Sequence, residues 1–329
     1  MNRSIKKIAV SGAGGQISYN LIFRIASGEV YGPEQAISLH LLETDQGVSS
    51  LKALEMELID SAFPLLENVI IGTDPKIVFR DIDTAILVGA KPRLAGMERK
   101  DLLLENGKIF AEQGQALNEV ASRELTVLVV GNPCNSNCLI CIHNAPDLEA
   151  KNFHALMSLD QNRALAQLAQ KSHAPLTELS TPIIWGNHSS TMVPDFNNVK
   201  HLGKPLEIDR SWLENEFLQT VRQRGAAVIK ARGHSSAASA SQAIIAHLRS
   251  IENPCELFSS GVFSSQNPYG IDEALVFSFP CRSEGNGKYQ IVADLPWDSF
   301  IEGQIRISEK ELIEERQQIS YLLKSKALL

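Results

Sequence analysis

The sequence predicts an α/β protein: a doubly wound parallel sheet in the first half, then a less regular α+β half. Three observations carry this. Between residues 6 and 133, short apolar runs alternate with longer segments of helical spacing. The apolar runs are continuous, as strands covered on both faces by helices must be. Beyond residue 154 the alternation lapses. At 329 residues the chain has room for two domains, divided here into 1–154 and 155–329.

In chain order, "KKIAVSG" (6–12) reads as a strand entering a glycine turn. The helix at 16–27 follows, with Ile17, Leu21, Ile22 and Ile25 on one stripe. Strands are expected at 37–43, 68–73, 84–90 and 125–133, with helices at 49–63 and 99–122 between them. In the second half, helices are expected at 161–171 and 224–250, the latter broken at Gly233. Strands are expected at 181–186, 274–280 and 289–295. A final helix is expected over 308–325, because Ser308 followed by Glu311 has the capping-box spacing.

Composition narrows the function classes. Hydrophobic residues make up 44% and charged residues 21%, enough for a full core. A net charge of −7 argues against nucleic acid or an anionic membrane as partner. No apolar run approaches the ~18–20 residues of a membrane span, and "IAV" is too short for a signal-peptide core. The cysteine count, five, is odd, which reads as reduced thiols and a cytoplasmic location. Cys134, Cys138 and Cys141 are spaced C-x3-C-x2-C. On a helix these would share one face as small apolar groups, with no second cluster to complete a metal site.

The chemistry-bearing residues come in small groups. "VSGAGGQIS" (10–18) follows the first strand and opens a helix. Gly12 and Gly14 occupy two positions of a G-x-G-x-x-G turn, and Ile17 stands at the third. Such a turn lets backbone N–H groups approach a pyrophosphate. Glu43, ending the second strand, can accept from a ribose hydroxyl and repel a 2′-phosphate, with Asp45 adding negative charge. Turn and acid together predict a Rossmann-like dinucleotide site that prefers NAD.

Farther on, "MSLDQNRA" (157–164) places Asp160 and Arg163 three apart, and "IIWGNHSST" (183–191) puts His188 after a strand. Taken singly, Asp160 is an ordinary helix cap, Arg163 an ordinary surface charge and His188 an ordinary turn residue. Together they are an acid–base imidazole, a carboxylate to hold its tautomer and a guanidinium to grip a substrate carboxylate. That set suits interconversion of a 2-hydroxy and a 2-keto acid.

Five segments in order, "KPRLAGMERKDLL", "GNPCNSNCL", "LDQNR", "IIWGNHSST" and "RGAAVIKARGHSSAASA", resemble the malate dehydrogenases of the lactate/malate dehydrogenase superfamily, in the branch of cytosolic and many bacterial enzymes. The resemblance runs from about residue 6 to the last helix. It implies NAD as cofactor, malate and oxaloacetate as substrates, a homodimer and a step of the tricarboxylic acid cycle. It implies His188 as proton donor and acceptor, Asp160 as its partner and Arg163 as the clamp on the C1 carboxylate. Arg93 would hold the C4 carboxylate and Arg99 polarise the reacting C2 oxygen, both on a glycine-flanked lid, "GAKPRLAGMERK" (89–100). Asn132 would touch substrate and nicotinamide beside Val130 and Gly131. Gly12, Ala13, Gly14, Gly15, Gln16, Ile17 and Ser18 would form the cofactor turn, in which isoleucine is usual at the third position. Asn106 and Gln113 would line the cofactor site and Ser236 the pocket wall. Lys91, before the lid arginine, departs from the family's usual neutral residue, and "GHSS" (233–236) from its usual lysine–aliphatic pair. A lactate-type dehydrogenase is the alternative on the same fold. Arg93 weighs against it, since an unpaired buried guanidinium is costly.

Overall fold

Strands β1 (Lys6–Ser11), β2 (Ile37–Leu42), β3 (Leu66–Gly72), β4 (Thr84–Leu87), β5 (Thr126–Val129) and β6 (Phe153–Leu156) are parallel neighbours in the order β3-β2-β1-β4-β5-β6. The computed structural model describes residues 4–90 and 99–324. β2, β4, β5 and β6 are buried throughout, as strands covered on both faces must be, and the polar Ser38, His40 and His154 are buried with their apolar neighbours. Helices α1 (Gln16–Ala26), α2 (Val48–Asp60), α3 (Pro75–Val78), α4 (Arg99–Val120) and α5 (Cys134–Asn144) cross between them. The strand order reverses between β1 and β4, so their carboxyl ends diverge and leave the crevice in which such sheets bind ligands.

The sheet does not stop at the expected domain division. The 154/155 boundary falls within β6, which pairs antiparallel with β11 (Pro254–Phe263). That strand pairs with β12 (Val276–Gly285), and β13 (Lys288–Ile291) closes the edge of a nine-stranded sheet. The second half also holds α6 (Ser158–Ser172) and the hairpin of β7 (Ile183–Trp185) and β8 (Val193–Asp195). The remaining pieces are the small ribbon β9 (Lys200–His201) and β10 (Lys204–Pro205), and α7 (Arg210–Trp212), which runs through a π-turn into α8 (Leu218–Arg232). Helices α9 (Ala238–Glu252) and α10 (Ser299–Gln318) complete it. Three apolar clusters support this arrangement, one on each face of the parallel sheet and one inside the second half.

The break expected at Gly233 within 224–250 is present: Gly233, at φ +77, ends α8 in the left-handed conformation and α9 follows. The last helix starts nine residues earlier than the capping-box reading placed it. Asp298 is its N-cap and accepts from Ile301 N–H at 2.8 Å, whereas Ser308 lies mid-helix and fully buried. Its hydroxyl serves tertiary structure instead of the helix end. Strand β11 and helix α5 were not assigned from sequence. The first interrupts apolar residues with Ser-Ser-Gly; the second is rich in asparagine and serine, which disfavour helix when exposed.

Candidate active site

Helix α6 begins directly after β6 and carries Asp160 in its first turn, completely buried. Asp160 caps nothing with its side chain. One carboxylate oxygen accepts from Arg163 Nη1 at 2.9 Å, and the other faces His188 Nδ1 in a short hydrogen bond. Burial pushes the Asp160 carboxyl up, but the attraction and hydrogen bond of His188, then those of Arg163, outweigh it and hold the group below the usual carboxylate range. The carboxylate therefore stays charged and engages Nδ1 of His188, which leaves Nε2 as the ring nitrogen that faces away from Asp160. Arg163 spends one amino group on Asp160, while Nη2 reaches Ser236 Oγ at 3.4 Å. A guanidinium has five N–H donors, so it retains capacity for a carboxylate.

The glycine turn closes on the other side of the crevice. Gly12 has φ +64, and a Cβ there would lie 2.5 Å from Gly89 Cα, so the turns after β1 and β4 touch backbone to backbone. Gly15 opens α1 with no side-chain cap, and Ser18 Oγ in the first turn is buried without a partner. Glu43 accepts from Gly14 N–H at 3.1 Å and from Thr44 N–H at 2.9 Å, which sets its carboxylate against the turn. A bare backbone cradle, uncapped helix N–H groups and an acid at its rim fit a dinucleotide's pyrophosphate and ribose. A cleft of about 400 Å³ lies beside the turn, lined by Gly14, Gln16, Tyr19, Asn20 and Arg232, with Arg232 Nη2 donating to Gln16 at 2.9 Å.

Comparison with known proteins bears on the whole chain. Residues 6–154 match the family described as lactate/malate dehydrogenase, NAD binding domain, and residues 157–321 match its alpha/beta C-terminal domain. The chain belongs to the lactate/malate dehydrogenase family. It is 52% identical over 324 residues to a malate dehydrogenase of Protochlamydia amoebophila, covering 97% of this chain and 98% of that one. It is 51% identical over 326 residues to a chloroplastic, NADP-named malate dehydrogenase of Zea mays, covering 97% of this chain and 76% of that one. Among solved structures, malate dehydrogenase from Naegleria fowleri superposes with TM-score 0.94 at 43% identity, covering 97% and 99%. Trichomonas vaginalis lactate dehydrogenase in complex with NADH and oxamate superposes with TM-score 0.93 at 35% identity, covering 97% and 99%. Lactate/malate dehydrogenases of both substrate names thus share this backbone, and the fold alone does not choose between them.

Val130, Gly131 and Asn132 follow β5, and Asn106 and Gln113 lie on α4. Val130 N–H and Gly131 N–H both donate to Leu87 O, at 2.9 and 3.1 Å, which carries the chain from β5 across the end of β4. Asn132 follows, exposed, at the mouth of the crevice. Asn106 on α4 is fully buried and donates to Asn132 O at 2.9 Å, so it braces that turn. Gln113 lies two helical turns on, also buried, with Oε1 lacking a partner. Ala13, Gly15, Gln16 and Ile17 lie in the turn and first turn of α1. Lys91 and Arg93 lie outside the described residues; Arg99 opens α4, and its side chain is likewise outside them. Cys134, Cys138 and Cys141 are buried on α5, and burial pushes the Cys138 and Cys141 thiols up. Among the described residues no three His, Cys, Asp or Glu side chains are grouped to hold a metal.

Sequence reasoning passed over Asn135 and Gly47. Asn135 Oδ1 accepts from His188 N–H at 2.9 Å, while its amide donates to Val276 O at 3.0 Å and Gly186 O at 3.3 Å. The signal was present as three asparagines (132, 135, 137) within one segment that also contains three apolar cysteines or prolines. Gly47 is needed because a Cβ would lie 2.1 Å from Glu43 Cγ.

Proposed function

We propose that this chain is an NAD-dependent malate dehydrogenase that interconverts (S)-malate and oxaloacetate. The observation that carries the reading is the buried Asp160 carboxylate shared between His188 and Arg163. It fixes a proton-exchanging imidazole and a carboxylate-binding guanidinium in one rigid unit. Arg163 holds the C1 carboxylate, which aims the C2 hydroxyl at His188 Nε2. His188 removes the hydroxyl proton during oxidation and returns it during reduction, and Asp160 stabilises the imidazolium formed in between. When bound, the nicotinamide ring accepts or supplies the hydride at C2. Asn132, at the crevice mouth, contacts substrate and nicotinamide. Arg93 pairs with the C4 carboxylate and Arg99 stabilises developing charge on the C2 oxygen; these two roles rest on the resemblance of the lid segment. Residues 1–154 bind cofactor and 155–329 supply most of the acid–base and substrate groups.

NAD is preferred over NADP because Glu43 puts a carboxylate where a 2′-phosphate would approach, although chloroplastic relatives bear NADP names. A homodimer is supported by exposed apolar side chains on three helices: Tyr19, Met56, Ile59 and Ile229, each 44–66% exposed. Among the described residues no helix is long and apolar enough to cross a membrane, and a cytoplasmic role in the tricarboxylic acid cycle fits the reduced thiols. The test follows loss of reduced-nicotinamide absorbance with oxaloacetate and with pyruvate, using NADH and NADPH. Oxaloacetate with NADH should turn over fastest, and Arg93→Gln should narrow the margin over pyruvate. Pyruvate turnover equal to or faster than oxaloacetate would sink the malate assignment.

A further inference from the structure

Helix α10 lies far from the acid–base pair in sequence, yet its buried face ends on the loop that carries His188. Ser308, Glu311 and Glu315 are spaced three and four apart, so they share one side of the helix. Ser308 Oγ accepts from Asn187 N–H at 2.8 Å, on the peptide immediately before His188. Glu311 Oε2 accepts from Asn187 Nδ2 at 2.9 Å and from Thr191 Oγ1 at 2.6 Å, and it also hydrogen-bonds Ser189 Oγ. Glu315 Oε1 takes a second contact from Asn187 Nδ2 at 3.2 Å. The helix also presses directly on the loop backbone. A Cβ on Gly186, whose φ is +90, would lie 2.2 Å from Ser308 Oγ. On the opposite side, Gly186 pairs with Ser278 of β12, and Asn135 of α5 holds His188 N–H.

The loop is thus clamped on both sides of the imidazole, and three of the side-chain hydrogen bonds in the clamp converge on one carboxylate oxygen. We infer that Glu311 is a positioning residue for His188: it gathers Asn187, Ser189 and Thr191 and so sets where the imidazole points. A carboxylate suits this task because it offers only acceptors, and its three partners here are two hydroxyls and an amide N–H. The same polar groups explain why a serine and two glutamates interrupt the buried face of an otherwise amphipathic helix. Asp160 sets the imidazole from the Nδ1 side; Glu311 sets the backbone from which it hangs. Proton exchange at Nε2 requires both, since displacement of a reacting group by about 1 Å can cost on the order of a hundredfold in rate.

The inference rests on His188 being the acid–base group, and the experiment separates the two. Glu311→Ala, Glu311→Gln, Glu311→Asp and His188→Asn are compared in oxaloacetate reduction with NADH. The readouts are kcat, KM, NADH affinity by fluorescence, and the isotope effect with NADH deuterated at the transferred position. Glu311→Ala should lower kcat about 10- to 100-fold while KM and NADH affinity stay within about threefold, and the isotope effect should rise as chemistry becomes limiting. Glu311→Gln, which keeps an acceptor oxygen in place, should stay within about threefold of the parent. Glu311→Asp, one methylene short, should fall about tenfold or more. A folded Glu311→Ala protein with unchanged kcat and isotope effect overturns the inference. If Glu311→Ala does not fold, equal activity of the Gln and Asp variants overturns it and a Gln-over-Asp margin supports it. An active His188→Asn enzyme would instead overturn the acid–base reading itself.

Discussion

Asp160→Asn is the most informative single perturbation of the acid–base pair. The amide has nearly the carboxylate's shape, so packing is retained while the charge is lost. Two consequences follow at His188. An amide NH₂ placed toward Nδ1 makes that nitrogen an acceptor and moves the ring proton to Nε2, where it blocks proton acceptance from malate. If the amide oxygen faces Nδ1 instead, the tautomer survives but the imidazolium loses its counter-charge. At a charge separation of about 4 Å and an effective dielectric near 20, that attraction amounts to about 4 kcal/mol. Converted at about 1.4 kcal/mol per tenfold, the loss is about a thousandfold in kcat/KM. Asp160 is fully buried, so solvent does not screen the interaction away. The assay is kcat/KM for oxaloacetate reduction alongside NADH affinity, which should change little because the glycine turn lies on other elements. Thermal unfolding should also fall, since Arg163 is left without its anionic partner. A loss below tenfold in a folded, NADH-binding enzyme would refute the argument that Asp160 governs the imidazole.

Two further outcomes follow from other parts of the fold. Glu43→Gln removes the charge that opposes a 2′-phosphate; at about 1 kcal/mol per unit charge in a watery setting and about 1.5 charges on the phosphate, kcat/KM with NADPH should rise about tenfold relative to NADH, and an unchanged ratio would remove Glu43 from cofactor choice. Buried His154 and His247 make acid sensitivity a second outcome. Burial pulls His154 down to about 3 and His247 well below its ordinary value, so the folded chain binds fewer protons than the unfolded chain below about pH 6.5. Stability should therefore fall with pH through that window, by up to about 1.4 kcal/mol per pH unit for each histidine, levelling for His154 near its folded value. Urea midpoints measured from about pH 7.5 to 5 check this, and a midpoint that rises on acidification would contradict it.

The chain's local patterns determined the parallel half and the nature of the chemistry. Short continuous apolar runs separated by helical segments fit strands of a covered parallel sheet, and a glycine turn followed by an acid at the next strand end is a short-range pattern. Asp160, Arg163 and His188 were legible as residue types in suggestive settings, and a likeness to known motifs joined them into one reading. Their contact itself was not legible. Asp160 and His188 meet because β6 and β7 deliver them to one point, across 28 residues that no periodicity spans. The mistaken capping box at Ser308 shows the same boundary from the other side. Ser followed by Glu three residues on is a helix start when the serine is exposed, but here both side chains bond to a loop more than a hundred residues earlier in the chain. A hydroxyl or carboxylate is equally able to satisfy a helix end or a distant backbone. Local sequence names the donor and acceptor; only packing decides which partner is near enough.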